Sequence, residues 1–370
     1  MKNTTRKKAL VALGALAVAG VASAQSSVTL FGVIDARLMH GRSDDGGHLN
    51  QLGSGGTTSS RFGLRGVEDL GGGLNASFWM EANFAADTGI GTASNTNNQT
   101  SGFPPAAALA SQGVGFNYRS TVSLAGNWGE VRAGRDFTPQ WRNIAANDPW
   151  GQNGASFAVI GPATSQGLGI VPGTTSTAIR ASNQISYYLP ANLSGFYGQA
   201  SAWLGENAST AANHEDGTGY GLRAGWGNGP VDIAVAWART QYLTGDARQM
   251  NIGGSWNFGV ARLMGIVVRD ELGSTDGKGW EIAASAPIGV WELRAAYSHY
   301  KVNSEALATD PTATKLALGV MYNFSKRTAL YGVWSDVHNK NGARVTVNGA
   351  PTIGPNRNAS GVDLGIRHFF

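Results

Sequence analysis

Apolar and polar residues alternate along most of this chain with a period of two. The alternation comes in segments of about ten residues, each closed by turn-forming residues. Leu74, Ala76, Phe78, Met80, Ala82 and Phe84 share one face, with Asn75, Ser77, Trp79, Glu81 and Asn83 on the other. Leu316, Leu318, Val320, Tyr322 and Phe324 repeat the pattern, as do Val231, Ile233, Val235 and Trp237, and Met250, Ile252, Trp256 and Phe258. Read end to end, the pattern predicts sixteen strands near 27–40, 57–70, 73–85, 115–127, 129–137, 178–190, 192–204, 218–228, 230–242, 247–258, 260–271, 278–287, 290–302, 314–324, 328–339 and 360–370.

The predicted connections alternate in length. One set is tight: Gly71-Gly72, Gly126-Asn127-Trp128, Ala191, Asn228-Gly229, Asn257-Phe258-Gly259, Pro287-Ile288-Gly289 and Ser325-Lys326-Arg327. The other is mostly long and polar: 41–56, 86–114, 138–177, 205–217, 272–277, 303–313 and 340–359, with only 243–246 brief. Short turns at one end and long loops at the other mark an up-and-down transmembrane β-barrel. A soluble sandwich has no reason to segregate loop length by parity. Sixteen strands enclose a space too wide for side chains to fill. The polar face then lines water and the apolar face meets lipid. Closure removes exposed strand edges. Aromatic residues gather at strand ends (Trp128, Tyr187, Tyr188, Trp256, Phe258, Tyr322, Phe324), where interfacial girdles belong.

The N-terminus changes the charge balance. Lys2, Arg6, Lys7 and Lys8 precede an apolar run of 13 residues, Ala9 to Val21, and a small-residue site, Ala22-Ser23-Ala24. This is the three-part plan of a secretory signal, predicted over residues 1–24 with cleavage between Ala24 and Gln25. The run is too short for a spanning helix, which needs about 20 residues. Residues 25–370 then form one barrel domain. Of the 28 Lys+Arg, four lie in the signal, so the remainder carries 28 − 4 = 24 bases against 24 acids. The basic isoelectric point therefore comes largely from the signal and does not point to nucleic acid. No cysteine is present, which excludes a disulfide scaffold. No run of 18 apolar residues follows the signal, which excludes a helical membrane bundle. Gly-rich stretches such as Gly71-Gly72-Gly73 lack the lysine and helix of a phosphate loop and read as hairpins. The histidines (His40, His48, His214, His299, His338, His368) fall in no nucleophile, base and orienting-group pattern, and no H-E-x-x-H occurs. Neither an enzyme nor a metal or cofactor site is expected.

Residues 25–38, QSSVTLFGVIDARL, resemble the mature N-terminus of the general outer-membrane porins of β-proteobacteria. SRFGLRGVEDL at 60–70 with the following GGGLNASFWMEANF, SLAGNWGEVRAGRDFTP at 123–139, and the terminal LGIRHFF resemble the same family in the same order. The resemblance implies a trimeric diffusion pore for small ions and hydrophilic solutes, multi-pass in an outer membrane of lipid and lipopolysaccharide. It implies that Phe370 is read by the barrel-insertion machinery. It implies that the third long connection, 138–177, folds into the lumen opposite a ladder of wall arginines, to which Arg61, Arg119 and Arg180 correspond. Alternation alone adds Arg65 and Arg37 to the inner face. The third loop offers one acid, Asp148, while Arg142 adds a base; with so few carboxylates against several arginines the constriction is expected to be net positive and weakly anion-preferring. A solute-specific channel of the same fold is the alternative. Such a channel lines its path with a run of aromatics, and inward aromatics such as Trp79 look too scattered for one.

Overall fold

The computed structural model describes residues 27–99, 113–161, 176–243, 245–305 and 307–370. The expected signal, with Ala24 and Gln25, lies outside the described residues. The strands are β1 (Ser27–Ser43), β2 (Gly47–Ser54), β3 (Arg61–Gly71), β4 (Leu74–Asn83), β5 (Arg119–Gly126), β6 (Gly129–Phe137), β7 (Arg180–Tyr188), β8 (Phe196–Trp203), β9 (Gly219–Asn228), β10 (Val231–Thr240), β11 (Ala247–Asn257), β12 (Arg262–Leu272), β13 (Thr275–Ile288), β14 (Trp291–Ser304), β15 (Thr312–Asn323), β16 (Thr328–Lys340) and β17 (Ala359–Phe369). Among the described residues an α-helix, α1 (Pro139–Ala146), lies in the third long loop.

Sequence neighbours pair antiparallel, and β17 pairs β1 from Val33 opposite Phe369 to Ser43 opposite Ala359. The sheet is therefore a closed barrel. It has sixteen staves built from seventeen strands, because β2 and β3 run end to end along β1. Ser54 faces Ala36 and Arg61 faces Val33, so six residues, 55–60, stand opposite only Ile34 and Asp35.

Three expected connections differ. The span 41–56 is not a long loop: Asp44-Asp45-Gly46 turns tightly and 47–54 returns along β1. The Ser43 hydroxyl accepts from Gly46 N at 3.1 Å, and Gly47 takes φ +75° to close the turn. Likewise 272–277 shrinks to Gly273-Ser274, with Gly273 at φ +58°. The Ala191 hairpin instead widens to 189–195. In each case a short polar or glycine-containing stretch carries no period that tells strand from loop.

The apolar face points outward, and Leu30, Leu222, Val235, Ile252 and Leu318 are exposed along it. Paired rings mark both rims. Trp128–Tyr187 (6.4 Å between centroids) and Trp256–Phe258 (5.9 Å) sit by the short turns, and Tyr220–Trp237 (5.4 Å) and Trp280–Tyr297 (5.6 Å) toward the long loops. Tyr188, expected in the girdle, is inside with its ring under Arg132 at 4.3 Å, since adjacent strand residues take opposite faces. Phe370 closes the seam: its N–H donates to Gly32 O (3.0 Å), and Gly32 N donates back (3.1 Å). A Cβ at Gly32 would meet the Phe370 ring at 2.3 Å, so only glycine leaves room for that ring.

Candidate pore constriction

The third long loop runs from Thr138 to Ile179, and the Thr138 N–H donates to Ile179 O at 3.1 Å across its neck. Thr138 is extended and Pro139 follows it, a pre-set helix start. The helix α1 lies inside the barrel against β9–β11. Asn143 Nδ2 donates to Ala234 O (3.0 Å) and Asn251 Oδ1 (2.8 Å), and Asn251 Nδ2 donates to Gln140 O (3.1 Å).

After α1 the chain turns sharply, with Gly151, Gln152 and Gly154 all at positive φ. Asp148 builds this turn by accepting from Trp150 N (2.6 Å), Gln152 N (3.2 Å) and Gln152 Nε2 (2.6 Å). The loop then crosses to β13–β17. There Ala155 N donates to Asp363 Oδ2 (2.8 Å), Ser335 Oγ to Ala155 O (2.8 Å), Lys315 Nζ to Phe157 O (2.7 Å) and Val159 N to Ser298 Oγ (3.1 Å). The inner wall beneath is apolar and small: Ala283, Ala296, Ala313, Ala317, Ala329 and Val333 are all buried. Trp150 packs over Gly319, where a Cβ would be 2.8 Å from its ring. A polar inner face was expected all round; it gives way here because loop, not water, covers it.

What remains open lies between the loop and the opposite wall. A passage of about 520 Å³ is lined by Arg61, Arg180, Arg294 and Arg367 on the barrel side and by Trp141, Pro149, Trp150, Gln152, Asn153 and Phe157 on the loop side, without a carboxylate among its lining residues. Glu81 pairs with Arg61, and Glu292 pairs with Arg294 at 2.9 Å. Arg180 and Arg367 form no ion pair among the described residues. Arg180 is held between the rings of Tyr118 (3.9 Å) and Phe137 (4.3 Å) and donates to Tyr118 O (2.9 Å).

The five wall arginines expected from sequence part company. Arg61 and Arg180 line the passage. Arg65 and Arg119 flank Trp79 (5.1 and 4.5 Å) in a vestibule on the short-turn side, with Arg132 beside them. Arg37 does face inward but is buried behind the loop, bonded to Asp363. Asp148 needs the fuller correction: it does not face the passage, because backbone N–H groups of its own turn consume the carboxylate and bury it. Burial pushes its carboxyl up to about 6.

Arg180 lies where the resemblance implies, but alternation along β7 does not carry it there. A register shift between Gly134 and Asp136, opposite Ser182 and Asn183, separates Arg180 from the Ile185, Tyr187 and Leu189 face. Arg294 and Arg367 were missed. Each follows an outward residue, Leu293 or Ile366, so alternation could have found both.

A closed barrel with an apolar exterior, rim girdles and an arginine-lined opening narrowed by an inner loop is a membrane-spanning diffusion channel. The chain belongs to the Gram-negative porin family, whose model matches residues 9–342. It is 36% identical over 380 residues to outer membrane porin protein 32 of Delftia acidovorans, covering 98% of this chain and 100% of the relative. It is 27% identical to an outer membrane porin protein of Bordetella pertussis, over 98% of this chain and 100% of the relative. In structure it is similar to an anion-selective porin from Comamonas acidovorans, with TM-score 0.79, 32% identity, and 94% of this chain and 100% of that one covered. It is a multi-pass outer-membrane porin that lets small hydrophilic solutes diffuse through its lumen, and the family consists of channels rather than enzymes.

Proposed function

We propose that this porin passes anions in preference to cations. The observation that carries the reading is the passage itself: four arginines, two of them without a carboxylate partner among the described residues, face a loop surface that is aromatic, amide and neutral. Fixed positive charge at a low-dielectric narrowing concentrates anions and raises the barrier to cations. In the vestibule on the short-turn side Arg132 is paired with Glu130 (2.9 Å) and Asp136 and Arg119 stands 3.8 Å from Asp136, so Arg65 is the arginine there that extends the unpaired positive charge. The anion-selective relative supports the same sign.

The zero-current potential of the purified protein in a planar bilayer under a KCl gradient tests this. A potential of the sign for chloride preference is expected, and one of the opposite sign would sink the reading. The working form is proposed to be a homotrimer that begins at Gln25, sits among phospholipid and lipopolysaccharide, and inserts by way of Phe370. Conductance steps in groups of three and the N-terminal mass of the purified protein check the first two points.

A further inference from the structure

We infer that residues 55–60 form a second narrowing element, carried by the barrel wall, and that Asp35 is the positioning residue that holds it in the pore. The inference rests on the channel reading above but not on the sign of its selectivity.

An antiparallel pair that places six residues opposite two has to push the surplus off the wall. Here the surplus goes inward. Thr57, Thr58 and Ser59 line the passage beside Arg61. The Asp35 carboxylate, completely buried, gathers five donors: the N–H groups of Gly56 (3.1 Å), Thr57 (2.9 Å) and Thr58 (3.0 Å), the Thr57 hydroxyl (2.8 Å) and the Tyr331 hydroxyl. Three consecutive backbone N–H groups converging on one carboxylate fix the path of the segment.

The segment then makes two kinds of contact. Toward the arginines, Arg61 Nη1 donates to Thr58 Oγ1 (3.0 Å) and Ser59 O (2.8 Å). Toward the inner loop, Ser59 Oγ donates to Asn153 Oδ1 at 3.2 Å, and a Cβ at Gly154 would stand 2.1 Å from Gly56 O. The loop and the wall excursion thus touch, like two jaws, and together bound one side of the opening. The excursion also fixes the guanidinium of Arg61, so Asp35 acts on selectivity through the segment it pins and without touching a solute.

Three variants test this by single-channel recording and by the size limit for neutral sugars. Asp35→Asn turns an amide N–H₂ toward donors and unpins the segment; higher conductance with a shifted zero-current potential is expected. A shortened stave, with residues 55–60 replaced by two residues so that the ladder runs unbroken past Ile34 and Asp35, should admit larger sugars. It covers the case in which Asp35→Asn fails to fold. In the third, Ser59→Cys with Asn153→Cys, the chain has no other cysteine. Its thiols should join on oxidation, which tests the contact between the two elements directly. Unchanged conductance and sugar limit in the first two variants, or thiols that do not join, would overturn the inference. A wild-type potential of cation sign would overturn only the selectivity reading.

Discussion

The two halves of the barrel's inner wall have the same strand geometry and opposite chemistry. From β3 to β7 arginines interleave with rings, Arg65, Trp79 and Arg119 in the vestibule, then Arg61, Tyr118, Arg180 and Phe137 at the narrowing, with Glu81, Glu130 and Asp136 pairing some of the guanidiniums. From β12 to β17 the inward side chains, apart from Arg294 and Arg367, which also reach the passage, are mostly alanine, valine and methionine, punctuated by a few buried polar groups, Glu281, Ser298, Lys315, Ser335 and Asp363. The first half meets solute, and stacking on rings holds its guanidiniums in place while leaving them charged. The second half is a seat. Its small side chains let loop backbone approach closely, and its buried polar groups meet carbonyl and N–H groups of the loop that would otherwise go unpaired. The passage is therefore what the seated loop leaves open, bounded by Arg61 and Arg180 on one wall and by Arg294 and Arg367 at the edge of the other.

Removing Arg180 and Arg367 together is the strongest way to break this comparison. Both charges lack a carboxylate partner among the described residues, so Arg180→Ala with Arg367→Ala removes them without exposing an acid. The zero-current potential should collapse toward zero or change sign, the largest change in selectivity expected of any pair here. Retained anion preference would transfer the work to the vestibule.

Unseating the loop comes next. Trp150 is 2% exposed and fills the space above Gly319. Trp150→Ala removes a buried ring of a kind usually worth about 3–5 kcal/mol. The loop should become protease-sensitive and conductance larger and noisier, while the barrel stays folded and heat-modifiable on a gel. Lys315→Met is a milder version. It deletes the donor to Phe157 O and leaves the buried carboxylates of Asp148, Glu281 and Asp363 with fewer cations nearby. Breaking such buried pairing typically costs about 3–5 kcal/mol, part of which protonation of a carboxyl offsets.

How much of this contrast was legible in the sequence differs between the halves. Alternation gave the staves, and family-like motifs gave Arg61, Arg119 and Arg180. Arg37 and Arg61 have the same parity and the same charge, yet one is a buried anchor and the other a pore residue. What separates them is the path of a loop far along the chain, which no local period encodes. Asp148 misled for a related reason. A lone acid in a neutral loop looks like a pore charge until the turn Asp148–Gln152, with its positive-φ glycine and glutamine, turns the backbone N–H groups onto it. The excursion at 55–60 was hidden because Gly-Gly-Thr-Thr-Ser-Ser reads equally as loop end or strand start.

The seat also carries a pH dependence. Because burial raises the Asp148 carboxyl to about 6, above its unfolded value, the folded loop binds more protons than the unfolded loop between the two values. The contribution to loop seating is fully present below the unfolded value and is lost as pH rises through about 6. Protease nicking of the loop should therefore slow from about pH 7.5 to about pH 5, either side of that midpoint, and Asp148→Asn should flatten the profile. A flat wild-type profile would mean that nearby Lys315 and Arg294 hold the carboxylate charged despite its burial.

The smallest effect belongs to Arg65, the most exposed of the ladder, with no ion pair among the described residues. Its charge sits in a solvated vestibule, where salt screens it over about 10 Å at 0.1 M. Arg65→Ala should lower anion conductance measurably at about 10 mM salt and leave it unchanged at 1 M, where the screening length falls to about 3 Å. If the loss persisted at high salt, the Arg65 guanidinium would be touching the permeating ion rather than steering it. The arginine half would then work as a chain of contact sites from vestibule to narrowing, and the division between a conducting wall and a seating wall would extend the full height of the barrel.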